Sequence, residues 1–296
     1  MNNMNLIGKD TANVVLFGGN GYIGGAFKKA LEERKITYFA PESTMMNLLQ
    51  VGNVEALLEA MRPSFIINCA GATGKPNVDA CEDHKEETHA TNVNIPFNLA
   101  QICDKLKIPW GHVSSGCIYN GYEKDFTEED EPNFSFDNPP CSYYSGTKAE
   151  AEKVLKDLDC YVWRLRIPFD EFDSPRNYLT KVLTYETLLD VENSVSHRAD
   201  FVEACLDLWD AKAEYGIYNV TNSGPITASE VLSLFEKHHG ITSSARLMDN
   251  VRAFYEEVGV KAPRSNCVLD NSKLLNAGVK IRDAEEALEE SIKRWS

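Results

Sequence analysis

The sequence has no Cys-x-x-Cys pair, and none of its eight cysteines (Cys69, Cys81, Cys103, Cys117, Cys141, Cys160, Cys205, Cys267) has a histidine at metal-ligand spacing. That excludes the common zinc and dithiol motifs, predicts no metal, and leaves most of the thiols as reduced, buried, small apolar groups. No apolar run approaches the roughly 18 residues of a membrane span, and the opening Met-Asn-Asn-Met-Asn lacks the basic-then-apolar pattern of a secretory leader, so a cytoplasmic protein is expected. Positive charge is scarce: 30 Lys and Arg against 45 Asp and Glu give a net −15, which argues against non-specific binding to nucleic acid or to an anionic membrane. Internal repeats and low-complexity segments are missing too. What is there is 296 residues, 43% of them hydrophobic, enough for a full core in one large or two modest domains.

Apolar runs and helical periodicity alternate through the first half. Asn13-Val-Val-Leu-Phe17 reads as a strand buried on both faces and runs directly into Gly18-Gly-Asn-Gly21-Tyr-Ile-Gly24, after which residues 26–33 have helical spacing. Strand, glycine turn and helix together let backbone N–H groups approach a pyrophosphate, so Gly18, Asn20, Gly21, Tyr22, Ile23 and Gly24 are candidate dinucleotide contacts. A second strand is expected over 36–39. Its tip normally separates the two nicotinamide cofactors, an acid holding a ribose 2′-hydroxyl and a base a 2′-phosphate. Here no Lys or Arg lies between Lys35 and Arg62, and Glu42 leans towards NAD.

Further along, a helix is expected over 54–61, a strand over 65–71 ending in the small residues Cys69, Ala70 and Gly71, a helix over 91–105 that contains Asn92, and a strand over 110–115 ending in Ser114 and Ser115. Small side chains after a strand admit a flat ring or a backbone. The alternation indicates an α/β fold with a doubly wound parallel sheet, whose ligands lie at the carboxyl ends of the strands. Residues 120–140 are polar and acidic and read as a surface loop over that crevice. A helix carrying Tyr144 and Lys148 follows to 158, then a strand over 161–166. Beyond Pro168 the alternation weakens: a loop over 170–177, a helix over 179–189, a strand over 216–220, and helices over 229–238 and 283–295. Residues 1–166 are accordingly assigned to dinucleotide binding and 167–296 to a smaller substrate lobe whose segments interleave with the sheet.

Tyr144 and Lys148 stand four apart, hence on one helix face, where an ammonium near a phenol favours phenolate and makes Tyr144 a candidate general acid. Among twelve tyrosines such a pair also arises by chance. Its weight comes from the glycine turn and from Ser115.

In that order, Gly18-x-x-Gly21-x-x-Gly24, Asn92, Ser115 and Tyr144-x-x-x-Lys148 resemble the extended short-chain dehydrogenase/reductases over nearly the whole chain. Gly74-Lys-Pro-Asn-Val-Asp79, Gly116-Cys-Ile-Tyr119, Pro175-Arg-Asn-Tyr-Leu-Thr-Lys181 and Ala262-Pro-Arg-Ser-Asn266 are similar to the bifunctional nucleotide-rhamnose synthases, which are UDP-4-keto-6-deoxyglucose 3,5-epimerase/4-reductases. More distant is a similarity to dTDP-4-dehydrorhamnose reductase and GDP-fucose synthase. The resemblance implies NADPH or NADH as cofactor, a nucleotide-sugar substrate and a homodimer. It places Ser115, Tyr144 and Lys148 in reduction of a C4 ketone, and Cys117 and Lys181 as the acid and base that invert C3 and C5. Arg264 becomes the candidate for the substrate diphosphate, with Thr73, Asn77, Asp79 and Asn177 as further substrate contacts. Ser115 stands where the plant enzymes have Thr, and the loop after Phe39 lacks their basic residues. Two alternatives stay open: a reductase without epimerase activity, which needs no cysteine at 117, and a non-catalytic nucleotide-binding regulatory subunit, which has no reason to keep Ser115, Tyr144 and Lys148 together.

Overall fold

The computed structural model describes residues 13–296; the leader reading of the first five residues falls outside them. The strands are β1 (Val14–Phe17), β2 (Tyr38–Phe39), β3 (Phe65–Asn68), β4 (Trp110–Ser115), β5 (Tyr161–Leu165), β6 (Pro168–Phe169), β7 (Thr187–Leu189), β8 (Ser196–His197), β9 (Gly216–Asn219) and β10 (Arg246–Met248). The α-helices are α1 (Tyr22–Glu33), α2 (Val51–Met61), α3 (Ala80–Asp83), α4 (Lys85–His89), α5 (Ile95–Leu106), α6 (Tyr143–Leu155), α7 (Tyr178–Thr184), α8 (Arg198–Asp210), α9 (Ala228–His239), α10 (Val251–Val258), α11 (Ser272–Asn276) and α12 (Ala284–Lys293). Six strands form one parallel sheet in the order β2-β1-β3-β4-β5-β9.

Alternation along β1 shows how the sheet is buried twice. Val14 and Leu16 face a layer built from Phe27 and Leu31 of α1 and Phe201 and Leu206 of α8. Val15 and Phe17 face Val54 and Leu58 of α2 and Leu99 and Ile102 of α5. Successive strand residues point to opposite faces, so a strand covered by helices on both sides must be apolar throughout, as Asn13-Val-Val-Leu-Phe17 is. A third cluster, with Phe169, Leu179, Val182, Val231, Phe235 and Leu288, lies under the later helices.

Four expectations are revised. Strand 36–39 shrinks to β2, because the α1 end takes up Ile36, whose N–H bonds the Leu31 carbonyl at 2.8 Å after Lys35 turns to φ 56°. The helix over 91–105 is α5 preceded by a π-helical turn, Ala90–Asn94; Pro96 brings no N–H to close an α-helical bond there, and the widened turn faces Asn92 inward. Residues 179–189 split into α7 and β7, since β7 gains a parallel partner in β10. Segment 120–140 is pinned rather than draped: Phe126 N–H bonds the Val268 carbonyl and Asp270 N–H the Phe126 carbonyl, both at 2.9 Å, over a cluster of Tyr119, Phe126, Cys267 and Leu269.

Candidate active site

The carboxyl ends of β1, β3 and β4 meet in one crevice. Gly18 turns at φ 74°, and a side chain there would lie 2.6 Å from the Ala70 nitrogen; one on Gly24 would lie 2.2 Å from the Gly18 carbonyl oxygen. Both glycines are therefore required by backbone contact. Gly21 begins α1 without any side-chain cap, which leaves the first-turn N–H groups, those of Tyr22, Ile23 and Gly24 among them, for an anion. Gly71 keeps its open face, with Asn92 Oδ1 and Lys148 Nζ each 3.6 Å from where a Cβ would stand. Ala70 N–H bonds Asn68 Oδ1 at 3.1 Å, and Cys69 has its thiol pushed up by burial. These features fit a dinucleotide lying across the loop with its flat ring over residues 69–71.

Three of the cofactor candidates already bond within the protein. Tyr22 donates its hydroxyl to Asp170 at 3.1 Å, with the Arg198 guanidinium 4.4 Å from its ring centroid and 2.9 Å from Asp170. Asn20 accepts from Lys28 at 2.7 Å. Glu42 is exposed, and its carbonyl closes a turn with the N–H groups of Met45 and Met46.

The candidate catalytic side chains come from β4 and α6. Ser142 caps α6 by accepting from Ser145 N–H at 3.1 Å, which puts Tyr144 in the first turn and Lys148 one turn later on the same buried face. The Ser115 hydroxyl lies beside the Tyr144 phenol and favours its ionised form. Lys148 is 3% exposed and donates to the Val113 carbonyl at 3.1 Å. Asn92, fully buried, clamps Ala72 through N–H to Oδ1 at 2.8 Å and Nδ2 to carbonyl at 3.0 Å, and reaches Thr147 at 3.1 Å, locking the loop after β3 to α6. Burial raises the Tyr144 phenol pKa and Cys117 adds to the rise, while Ser115 and Arg166 oppose it; burial thus outweighs the depression expected from Lys148. The Lys148 ammonium is itself pulled down to about 8 by burial, against Glu152.

Cys117 follows at the same edge, its N–H on Ser115 Oγ at 3.2 Å. Its cationic neighbour is an arginine the sequence reading did not single out, Arg166, which donates from Nη1 to the Cys117 sulfur at 3.0 Å. Arg166 is buried, also holds Asn193 and the Ser265 carbonyl, and has no carboxylate partner among the described residues. The sequence signal was available: Arg164 and Arg166 are long cations at the end of a buried strand. Arg164 is the structural one, paired with Glu152 at 2.8 Å.

A second group of cations gathers above. Arg176 bonds Thr73 Oγ1 at 2.8 Å and the Gly74 carbonyl at 3.1 Å. Arg264 pairs with Asp79 at 2.8 Å and bonds the Ala262 carbonyl at 3.3 Å, the structural ion pair that competes with a ligand role. Lys181 has its ammonium pKa lowered by burial and by the charges of Arg176 and Arg264, so the three share one region. Asn77 Oδ1 is taken by Asp79 N–H at 2.9 Å. Asn177 departs from its expected role: its Nδ2 is committed to Asp170 and the Phe172 carbonyl and its Oδ1 caps Leu179, so it braces α7 instead of meeting substrate.

Comparison with known proteins agrees with this arrangement. Relatives include a bifunctional dTDP-4-dehydrorhamnose 3,5-epimerase/dTDP-4-dehydrorhamnose reductase of Arabidopsis thaliana, 33% identical over 93% of this chain and 91% of its own length. A trifunctional UDP-glucose 4,6-dehydratase/UDP-4-keto-6-deoxy-D-glucose 3,5-epimerase/UDP-4-keto-L-rhamnose-reductase of the same plant is 30% identical over 95% of this chain, which spans 42% of that longer protein. The crystal structure of the L780 UDP-rhamnose synthase from Acanthamoeba polyphaga mimivirus superposes with a TM-score of 0.86 at 26% identity, covering 95% of this chain and 98% of that one. The model of the RmlD substrate binding domain matches residues 12–296, and the chain belongs to that family of extended short-chain reductases.

Proposed function

We propose that the protein converts an NDP-4-keto-6-deoxyhexose to an NDP-rhamnose, inverting C3 and C5 and then reducing C4 with a nicotinamide cofactor. The observation that carries the reading is Tyr144 facing Ser115, with Cys117 two residues after Ser115 and bonded to its Oγ, at the crevice where the glycine loop and residues 69–71 meet. Family membership supports the reductase half; the epimerase half rests on Cys117, Lys181 and the bifunctional relatives.

Protons on C3 and C5 are acidic because the C4 ketone accepts charge as an enolate. Hydroxyl donors from Ser115 and Tyr144 stabilise that oxygen, while Cys117 and Lys181 supply the base and acid on opposite faces of the sugar. Arg166 beside the sulfur gives a negative charge there its partner. A nicotinamide held over residues 69–71 by the glycine loop would supply the hydride for the second stage, at C4. Tyr144 then delivers its proton to the C4 oxygen, with Lys148 behind it to hold the nicotinamide ribose. Arg176 and Arg264 receive the diphosphate, a planar bidentate match.

The test is incubation with UDP- and dTDP-4-keto-6-deoxyglucose in deuterated water without cofactor, followed by addition of NADPH and NMR of the product. Deuterium at C3 and C5 before reduction is the expected result. Reduction without exchange leaves a 4-keto reductase that needs a separate epimerase, and binding without either reaction leaves a nucleotide-binding protein.

A further inference from the structure

The second residue of the glycine loop, Gly19, is small for a different reason from its neighbours. A Cβ built there would stand 2.8 Å from Cε of Lys28 and 3.0 Å from Cβ of Ala40, so the Lys28 chain runs directly over Gly19, beside the residue that follows β2. Its ammonium reaches Asn20 Oδ1 at 2.7 Å. In a dinucleotide-binding fold this junction of glycine loop and β2 tip is where the adenosine ribose lies and where its 2′ position is read. The loop after β2 carries no base, but the tertiary structure delivers one from the second turn of α1.

We propose that Lys28 receives the 2′-phosphate of NADPH and makes this chain prefer NADPH to NADH. The nearby acids do not oppose it. Glu32 accepts from the Tyr38 hydroxyl at 2.6 Å, Glu33 is 3.9 Å from Lys29, and Glu42 is exposed in its own turn. Asn20 holds the ammonium at the loop and offers its amide N–H groups to the same phosphate. Gly19 is the gap that admits the lysine chain. In a molecule of net charge −15 a cation retained at this point is a local exception to the prevailing sign.

The inference rests on dinucleotide binding by the glycine loop, and direct titration keeps the two separable. Binding of NADPH, NADH and 2′,5′-ADP to the full chain is followed by calorimetry. One charge-assisted contact to phosphate predicts NADPH tighter than NADH by about tenfold or more, with the preference shrinking as salt rises. Lys28→Ala then weakens NADPH and 2′,5′-ADP by about tenfold and NADH by no more than about twofold, while Lys29→Ala changes neither. Equal affinities for the two cofactors, or equal loss of both in Lys28→Ala, overturns the role of Lys28 and leaves the loop as a dinucleotide site. If neither cofactor binds, the dinucleotide reading falls with it.

Discussion

Tyr144 of α6 and Cys117 just after β4 meet at one end of that strand, yet the two proposed half-reactions ask different things of them. Tyr144→Phe removes the proton donor for C4 and is expected to lower reduction by about 10²–10⁴-fold while exchange at C3 or C5 persists. Cys117→Ala is expected to do the reverse, sparing reduction of an already epimerised substrate. Measuring both activities on both variants checks the division; parallel losses would mean the groups act as a unit. Lys148 gives a pH test that needs no substrate. Its ammonium is destabilised by burial, so its folded value of about 8 lies below the ordinary 10.5 and the unfolded chain binds more protons between them. The penalty is fully present below about pH 8 and is relieved as pH rises towards 10.5, and by this bookkeeping it is on the order of 3 kcal/mol. Lys148→Met is therefore expected to melt above the parent protein at pH 7, with the gap closing through pH 8–10. A gap that does not change with pH would contradict the buried-charge account. At this scale the placement of Ser115, Tyr144, Lys148 and Asn92 around one crevice was legible in the sequence, because their spacing follows strand and helix periods, while their roles stay with the proposal. Arg166 was missed because the strand pattern shows two arginines alike, and what sets Arg166 apart from Arg164 is a contact with Cys117, 49 residues away.

The elements follow from the sequence wherever one period dominates, and drift where tertiary contacts decide. β1 and β3 were legible because strands covered on both faces are continuous apolar runs; β7 was read as helix because its extended form depends on β10, far along the chain. Packing between adjacent strands also sets requirements no period announces. Gly111 of β4 lies beside Tyr161 in register, and the Trp163 indole crosses over it, with ring atoms 2.0–2.6 Å from where a Cβ would stand. Trp163 is fully buried against Phe27 and Phe65, so it has nowhere to withdraw. Gly111→Ala is expected to cost about 3 kcal/mol or more by overpacking, measured by denaturant unfolding. Adding Trp163→Leu should recover part of that loss. A Gly111→Ala protein as stable as the parent would show that the sheet can yield there.

Across the whole molecule the sheet alone makes only half of the proposed site. The loop after β3 supplies Thr73 and Asp79, the segment before α7 supplies Arg176, α7 itself supplies Lys181, and the run after α10 supplies Arg264; these are brought together only when the later residues fold back over the sheet. β9 returns to the sheet edge beside β5, which ties those later segments to it. Three cations in one region, of which only Arg264 has an ion pair among the described residues, with Asp79, repel one another until an anion arrives, even in a protein of net charge −15. A nucleoside diphosphate should therefore raise the melting temperature, since it binds the folded state alone. Contacts to the diphosphate are equally good before and during reaction, so losing one raises KM and leaves kcat nearly unchanged. Arg176→Ala is expected to raise KM for the nucleotide sugar by about 10–100-fold and to remove most of the thermal shift with UDP or dTDP. Because Arg176 also braces Thr73 and Gly74, Arg176→Lys separates the roles: the retained charge should restore part of the UDP shift even where the two loop contacts are lost. A fall in kcat at unchanged KM would place Arg176 with the reacting carbons instead of the diphosphate.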